Sequence, residues 1–226
     1  MGKNQDKLLT DLQERLNYLR QLGVEYLYLP PVARSSMPSQ RSRFLALEKQ
    51  IQNCRACPLA ETRINPVPGE GSITAELMFV GEGPGYDEDQ QGRPFVGRAG
   101  QLLTKIINAM EFRREDVYIT NVVKCRPPDN RNPNMEELEK CQPFLFEQIR
   151  FIQPKVIVAL GNVPSHFFLK RKEGITSLRG KFYKYMNIQV MPTFHPSYLI
   201  RNEKNRQLKR LVWNDMKQVL ARLDKR

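Results

Sequence analysis

Gly81-Glu82-Gly83-Pro84-Gly85-Tyr86-Asp87-Glu88-Asp89, running on through Gly92-Arg93-Pro94-Phe95-Val96-Gly97, is the stretch whose reading decides the fold. The apolar run Leu77-Met78-Phe79-Val80 stands directly before it, and a helical pattern from about Ala99 to Met110 directly after. A short apolar run closed by glycine reads as a buried strand. The chain therefore leaves a strand, turns through a Gly-rich loop and enters a helix. In open α/β sheets, ligands bind at the carboxyl ends of the strands, which places the candidate site on this loop. Its glycines let backbone come close to another group. The acids Glu82, Asp87, Glu88 and Asp89 speak against a bare phosphate cradle, and the Gly-Lys-Ser/Thr ending of a P-loop is missing. Phe95, between Pro94 and Gly97, is placed to offer its ring as a platform for a flat ligand.

Further strands are predicted at Val117–Thr120, Val156–Leu160 and Ile188–Met191, each followed by polar or Gly/Pro-rich sequence. Helical patterns separate them, and residues 170–187 read as a charged turn with a short hairpin-like stretch. Strands alternating with helices predict a three-layer α/β/α fold around a four-stranded parallel sheet. Glu82, Asn121 and His195 each follow an apolar strand, so three polar groups should converge on one sheet edge.

Residues 1–41 read as an N-terminal helical extension and linker. Leu8, Leu9, Leu12, Leu16, Leu19 and Leu22 recur at helical spacing, and Pro30-Pro31 and Ser35-Ser36-Met37-Pro38 follow. Such a stripe either packs on the main domain, 42–226, or contacts a partner; both readings stay open. No apolar run approaches the roughly 18 residues of a membrane span. The polar start, Met1–Thr10, has no signal-peptide core, so a cytoplasmic protein is expected; a monomer is expected as well.

The 226 residues carry a formal charge of +12, with a pI near 9.7. From Tyr198 to Arg226 nine Lys/Arg face three Asp/Glu, which is half of that net charge. A basic amphipathic helix in this position fits a polyanionic partner, nucleic acid first. The four cysteines, Cys54, Cys57, Cys125 and Cys141, form a C-x-x-C pair plus two more. That set suits a tetrathiolate site for zinc or an iron–sulfur cluster, and the pattern alone does not choose between them. The long interval to Cys125 argues against a compact zinc finger and would tie the N-terminal part to the loop after the second strand.

These landmarks resemble the family 4 uracil-DNA glycosylases, the iron–sulfur type. The resemblance runs from about Phe44 to Leu223. It rests on Gly81–Gly85 with Glu88-Asp89, on Gly92–Gly97, on Asn121-Val122-Val123-Lys124-Cys125-Arg126-Pro127-Pro128, and on Phe194-His195-Pro196-Ser197-Tyr198-Leu199-Ile200-Arg201, with four cysteines in step. It implies a [4Fe–4S] cluster on Cys54, Cys57, Cys125 and Cys141, bracing DNA-contacting loops, and hydrolytic removal of uracil from DNA.

Such a reaction needs a flipped base in a pocket. Phe95 would stack on the base, Gly81 would border it, and the Asn121 amide would read its edge. Glu88 would lie by uracil C5 and clash with the methyl group of thymine. His195 would donate to uracil O2 as the base departs as an anion, and Glu82 with the Gly83 backbone would hold the attacking water. Ser197, Tyr198, Leu199, Ile200 and Arg201 resemble a wedge loop, with Leu199 or Ile200 entering the duplex and Arg201 on phosphate. His166 has no motif around it and reads as structural. A non-catalytic iron–sulfur DNA-binding module is the alternative from another class. It would have no need of Asn121 and His195, and both are present. A covalently trapping relative would need an inserted basic loop with a further histidine, which this chain lacks.

Overall fold

The computed structural model describes residues 39–224 together with Gln13 and Arg20, both helical and exposed. The chain divides into two compact units, 1–39 and 40–226. The leucine stripe of the expected N-terminal helix lies outside the described residues. The second unit opens on helix α1 (Gln40–Gln52), two residues ahead of the expected boundary, and buries Phe44, Leu47 and Ile51 along one stripe.

The sheet has six strands: β1 (Glu70–Gly71), β2 (Leu77–Gly81), β3 (Tyr118–Asn121), β4 (Val156–Leu160), β5 (Tyr183–Tyr185) and β6 (Ile188–Thr193). Their order is β1-β3-β2-β4-β6-β5. The central four are parallel, as expected, and the edges β1 and β5 are short antiparallel additions. β1 escapes prediction because two residues carry no periodicity. Before the sheet comes α2 (Leu59–Thr62), and between the strands run α3 (Tyr86–Gln91), α4 (Arg98–Ala109), α5 (Met135–Ile152), α6 (Asn162–Leu169) and α7 (Ile175–Leu178). After the sheet come α8 (Pro196–Arg201) and α9 (Arg206–Arg222).

Every residue of β2 and β4 is buried, because helices cover both faces of the sheet. The two-residue period of a strand sends alternate side chains to opposite layers. Leu77, Phe79, Val156 and Val158 join Leu103 of α4 and Val212 and Met216 of α9 in one core. Met78, Val80, Ile157 and Ala159 join Phe44 of α1, Leu145 of α5 and Phe167 of α6 in the other. Among the described residues no helix is long and apolar enough to cross a membrane.

Parallel strands bring their ends to one edge. Gly81 pairs with Asn121, and Leu160 with Thr193. β2 lies between β3 and β4, so the chain reverses its direction across the sheet there, and the crevice of such a reversal is where α/β folds take ligands.

The last residue of β6 is tied to α9 by a buried carboxylate. Asp215 is fully buried. It accepts from Thr193 Oγ1 at 2.5 Å, from Arg179 Nε at 3.1 Å and from Arg179 Nη2, while that Nη2 also donates to the Leu211 carbonyl at 2.8 Å. Removing one partner of a buried ion pair leaves the other without compensation, at a cost of about 3 kcal/mol. Asp215→Ala should therefore lower the thermal midpoint strongly. Glu147→Ala, which removes a solvent-exposed pair with Arg150, should barely move it. Comparable midpoints for the two variants in a melting experiment would contradict this.

Candidate active site

The strand tips enclose a cavity of about 620 Å³ whose lining includes Glu82, Gly83, Phe95, Asn121, Gly161 and His195. The three polar groups expected at one edge therefore meet. Asn121 is 1% exposed, and its Oδ1 is a buried acceptor without a hydrogen-bond partner. Buried polar atoms are nearly always paired, so an orphan acceptor on a residue that lines a cavity is a candidate partner for a ligand donor. Gly81 makes room for it. A Cβ there would stand 2.3 Å from Asn121 Oδ1 and 2.6 Å from Phe95 Cζ. Expected as a binding residue, Gly81 instead reaches the site through the space it leaves.

Phe95 is held in the left-handed region at φ 52°, an uncommon conformation for a bulky residue that must be enforced by its surroundings. Arg114 Nη1 and Nη2 donate to the carbonyls of Phe95 at 3.1 Å and Pro94 at 2.8 Å. Arg114 Nη1 also donates to Thr104 Oγ1 at 3.0 Å. Gly100 packs so close that a Cβ would fall 1.9 Å from the Phe95 carbonyl carbon. The ring is only 6% exposed and lies 5.7 Å from the His195 ring at a 35° tilt. It is thus an enclosed wall rather than a projecting platform. Arg114 and Gly100 were not anticipated, since each acts from outside the loop and neither stands in a recognisable pattern.

The acids of the loop divide in two. Glu88 lines the cavity, but its carboxylate accepts from the amides of Gly85 at 3.1 Å, Val96 at 2.9 Å and Gly97 at 3.0 Å. It splints the loop and is not free to turn toward a ligand. Asp89 is buried and accepts from the amides of Ile64 and Asn65 at 3.0 and 3.3 Å. Glu82 is different: among the described residues its carboxylate makes no hydrogen bond, and burial pushes its pKa above the ordinary carboxylate value.

His195 follows β6 and caps α8. Its Nδ1 accepts from the Ser197 amide at 3.1 Å and lies 2.7 Å from Ser197 Oγ. With Nδ1 accepting, the neutral ring carries its proton on Nε2. Burial first, and the Arg201 charge second, lower its pKa to about 4. Ser197, expected on DNA, is spent on orienting this ring. Leu199 is a second correction. It is 3% exposed and belongs to the core, because α8 turns it inward against α4, so it cannot serve as a wedge. Tyr198 is the exposed residue of the turn, at 38%, and rests on Phe194 with ring centroids 5.2 Å apart. Ile200 is half-buried and Arg201 exposed. His166, read as structural, meets the Glu173 carbonyl at 2.8 Å.

The four cysteines line a second, largely apolar pocket with Ile51, Ala56 and Phe144. Arg63 Nη1 donates to Cys125 Sγ at 2.8 Å, and the Lys124 amide to Cys141 Sγ at 3.2 Å. Burial raises the pKa of Cys57 and Cys125 and pushes that of Cys141 up to about 12. Among the described residues no three His, Cys, Asp or Glu side chains converge closely enough for a single metal ion. A tetrahedral zinc, with Zn–S near ~2.3 Å, would require sulfurs about 4 Å apart. Four thiols around one pocket, with N–H donors on two sulfurs, suit a thiolate-bound group. Next to Cys125, the Lys124 side chain is 1% exposed and donates to Thr120 Oγ1 at 2.7 Å, the Asn121 carbonyl at 2.6 Å and Gln148 Oε1 at 2.7 Å.

Comparison with known proteins agrees with this arrangement. A family model described as the uracil DNA glycosylase superfamily matches residues 68–217. The type-4 uracil-DNA glycosylase of Thermotoga maritima is 49% identical over 181 residues, covering 79% of this chain and 94% of its own. That of Archaeoglobus fulgidus is 44% identical over 167 residues, covering 70% and 84%. A type-5 uracil-DNA glycosylase of Pyrobaculum aerophilum is 33% identical over 151 residues, covering 59% and 66%. The chain belongs to the uracil DNA glycosylase superfamily, in its type-4 branch.

The tautomer and pKa of His195 can be tested together. The folded pKa, about 4, lies below the ordinary value near 6.5. The unfolded chain therefore binds this proton first, and the folded state loses stability as pH falls from about 6.5 toward 4. Nitrogen chemical shifts should show a neutral ring protonated at Nε2 throughout pH 5–8. A titration midpoint near 6.5 would refute the assignment.

Proposed function

We propose that the protein flips uracil out of DNA and hydrolyses its N-glycosidic bond, leaving an abasic site as the first step of base-excision repair. The observation that carries this reading is that Asn121, whose buried Oδ1 has no partner, lines the same cavity as a neutral His195. A buried acceptor seeks a donor, and uracil offers N3–H with O4 beside it as acceptor for the other half of the amide. Cytosine has no proton on N3 and would set a lone pair against Oδ1, which a site built to hydrogen-bond rejects strongly. Phe95 stacks on the base. Glu88, splinted by three amides, stands as a fixed wall beside C5 and excludes the thymine methyl.

As the C1′–N1 bond breaks, its electron pair leaves with uracil and the sugar becomes oxocarbenium-like. His195 Nε2–H donates to O2 and stabilises the departing anion, as preorganised donors do. Water, held by the unpaired Glu82 carboxylate and the Gly83 backbone, adds to C1′, and its proton passes to Glu82 or solvent. Tyr198 and Ile200 lie toward the duplex, and Arg201 and the basic face of α9 toward phosphates, so binding should weaken steeply with salt. Cys54, Cys57, Cys125 and Cys141 would hold a [4Fe–4S] cluster, which would cross-link the segment before β1, the loop after β3 and α5, a structural role apart from bond cleavage. A cytoplasmic setting goes with this reading.

Release of free uracil from a labelled uracil-containing oligonucleotide, read as abasic-site cleavage, tests the reaction. His195→Ala should lower the single-turnover rate by about 10²–10⁴-fold with DNA binding retained. Asn121→Ala should also lose preference for uracil over cytosine, and Glu88→Ala should admit some thymine. No release from protein that binds the DNA would replace the enzyme with the DNA-binding module. Cys54→Ala should abolish stoichiometric iron and visible absorbance; zinc in the wild-type protein instead would overturn the cluster.

A further inference from the structure

Next in the chain to residues that line the cavity, two side chains lie face to face. The Arg126 guanidinium sits over the Tyr86 ring, 5.2 Å from its centroid. Tyr86 is 56% exposed, so the other face of the ring is open. Arg126 Nε donates to Asn130 Oδ1 at 2.8 Å. Among the described residues its two terminal amino groups make no hydrogen bond or ion pair. Left-handed conformations at Asp129 and Asn130, φ 54° and 53°, fold this loop back on itself. Gly85, the residue before Tyr86, lines the cavity, as do Pro127 and Asn130. The pair is therefore mounted beside the site, Tyr86 opening α3 directly after Gly85 and Arg126 standing directly before Pro127.

Single exposed aromatic residues are ordinary. This one is backed by a cation that is itself anchored, in a chain of net charge +12, next to a cavity that takes a flipped nucleotide. A cation over a ring strengthens its use as a plate, and an aromatic plate with a free face binds an unpaired base whatever its sequence. In a duplex the neighbouring bases already have both faces stacked and cannot use it.

We propose that Tyr86 and Arg126 form a subsite for the nucleotide adjacent to the flipped one when that nucleotide is unpaired. Its base stacks on the open face of Tyr86, and the free amino groups of Arg126 hold its phosphate. The subsite rests on the glycosylase reading and makes single-stranded or locally opened DNA a favoured substrate.

Fluorescence anisotropy tests it with single-stranded oligonucleotides carrying a 2′-fluorinated deoxyuridine that resists cleavage, flanked either by ordinary nucleotides or by base-free residues. Tyr86→Ala should weaken binding to the ordinary strand roughly tenfold, with Tyr86→Phe near wild type. Arg126→Gln should weaken it and lower the salt dependence by about one phosphate contact. The Tyr86→Ala loss should vanish when the flanking base is absent, and affinity for the matching duplex should stay near wild type. Equal loss on base-free strands, equal loss on duplex, or no loss at all would each overturn the subsite. Uracil release by wild-type protein from an unmodified strand is measured in parallel. Release without a flanking-base effect removes the subsite alone; a flanking-base effect without release removes the glycosylase reading and leaves Tyr86 and Arg126 as a contact for unpaired bases only.

Discussion

A buried lysine is the junction on which the rest of the site depends. Lys124 has no access to water, and burial brings its pKa from the ordinary value down to about 7. Its ammonium is tolerated because three oxygens surround it: two from the tip of β3 and one from Gln148 of α5. Gln148 in turn donates to the Pro68 carbonyl at 2.7 Å. One side chain thus fastens the strand that presents Asn121, the helix that carries Cys141 and the loop that leads into β1. Its own backbone amide bonds to Cys141 Sγ. The cavity and the cysteine pocket are two sides of one buried polar knot.

The parallel core was legible because β2, β3, β4 and β6 are apolar runs closed by turn residues, and helical periods separate them. Their common polarity follows from the helical crossovers, and with it the meeting of Glu82, Asn121 and His195. The edge strands were less legible. β1 is two residues long, and β5 is Tyr-Lys-Tyr with its lysine exposed, so neither carries a hydrophobic period of its own.

The site was legible by residue and less so by direction. Glu88 and Glu82 look alike in the sequence, yet one carboxylate is consumed by three loop amides and the other has none. Ser197 and Leu199 share a motif with Tyr198 and Arg201, yet the first turn of α8 sends Ser197 back to the imidazole and Leu199 into the core. A motif marks where the chain gathers polar groups; which way each one faces is settled by hydrogen bonds that form only after the helix starts. Arg114 shows the complementary gap. It fixes Phe95 from 19 residues away in the chain, through carbonyls that no side-chain pattern advertises.

The left-handed Phe95 has a consequence for ligands in general. Its backbone is held from two directions, because Gly100 packs against the Phe95 carbonyl and Arg114 grips the carbonyls of Pro94 and Phe95. The Asn121 backbone is likewise fastened, by Lys124 at its carbonyl. Backbone ordered in this way at folding need not be ordered again on binding. A small planar heterocycle with one N–H aimed at Oδ1 would gain affinity from such a slot without any DNA attached.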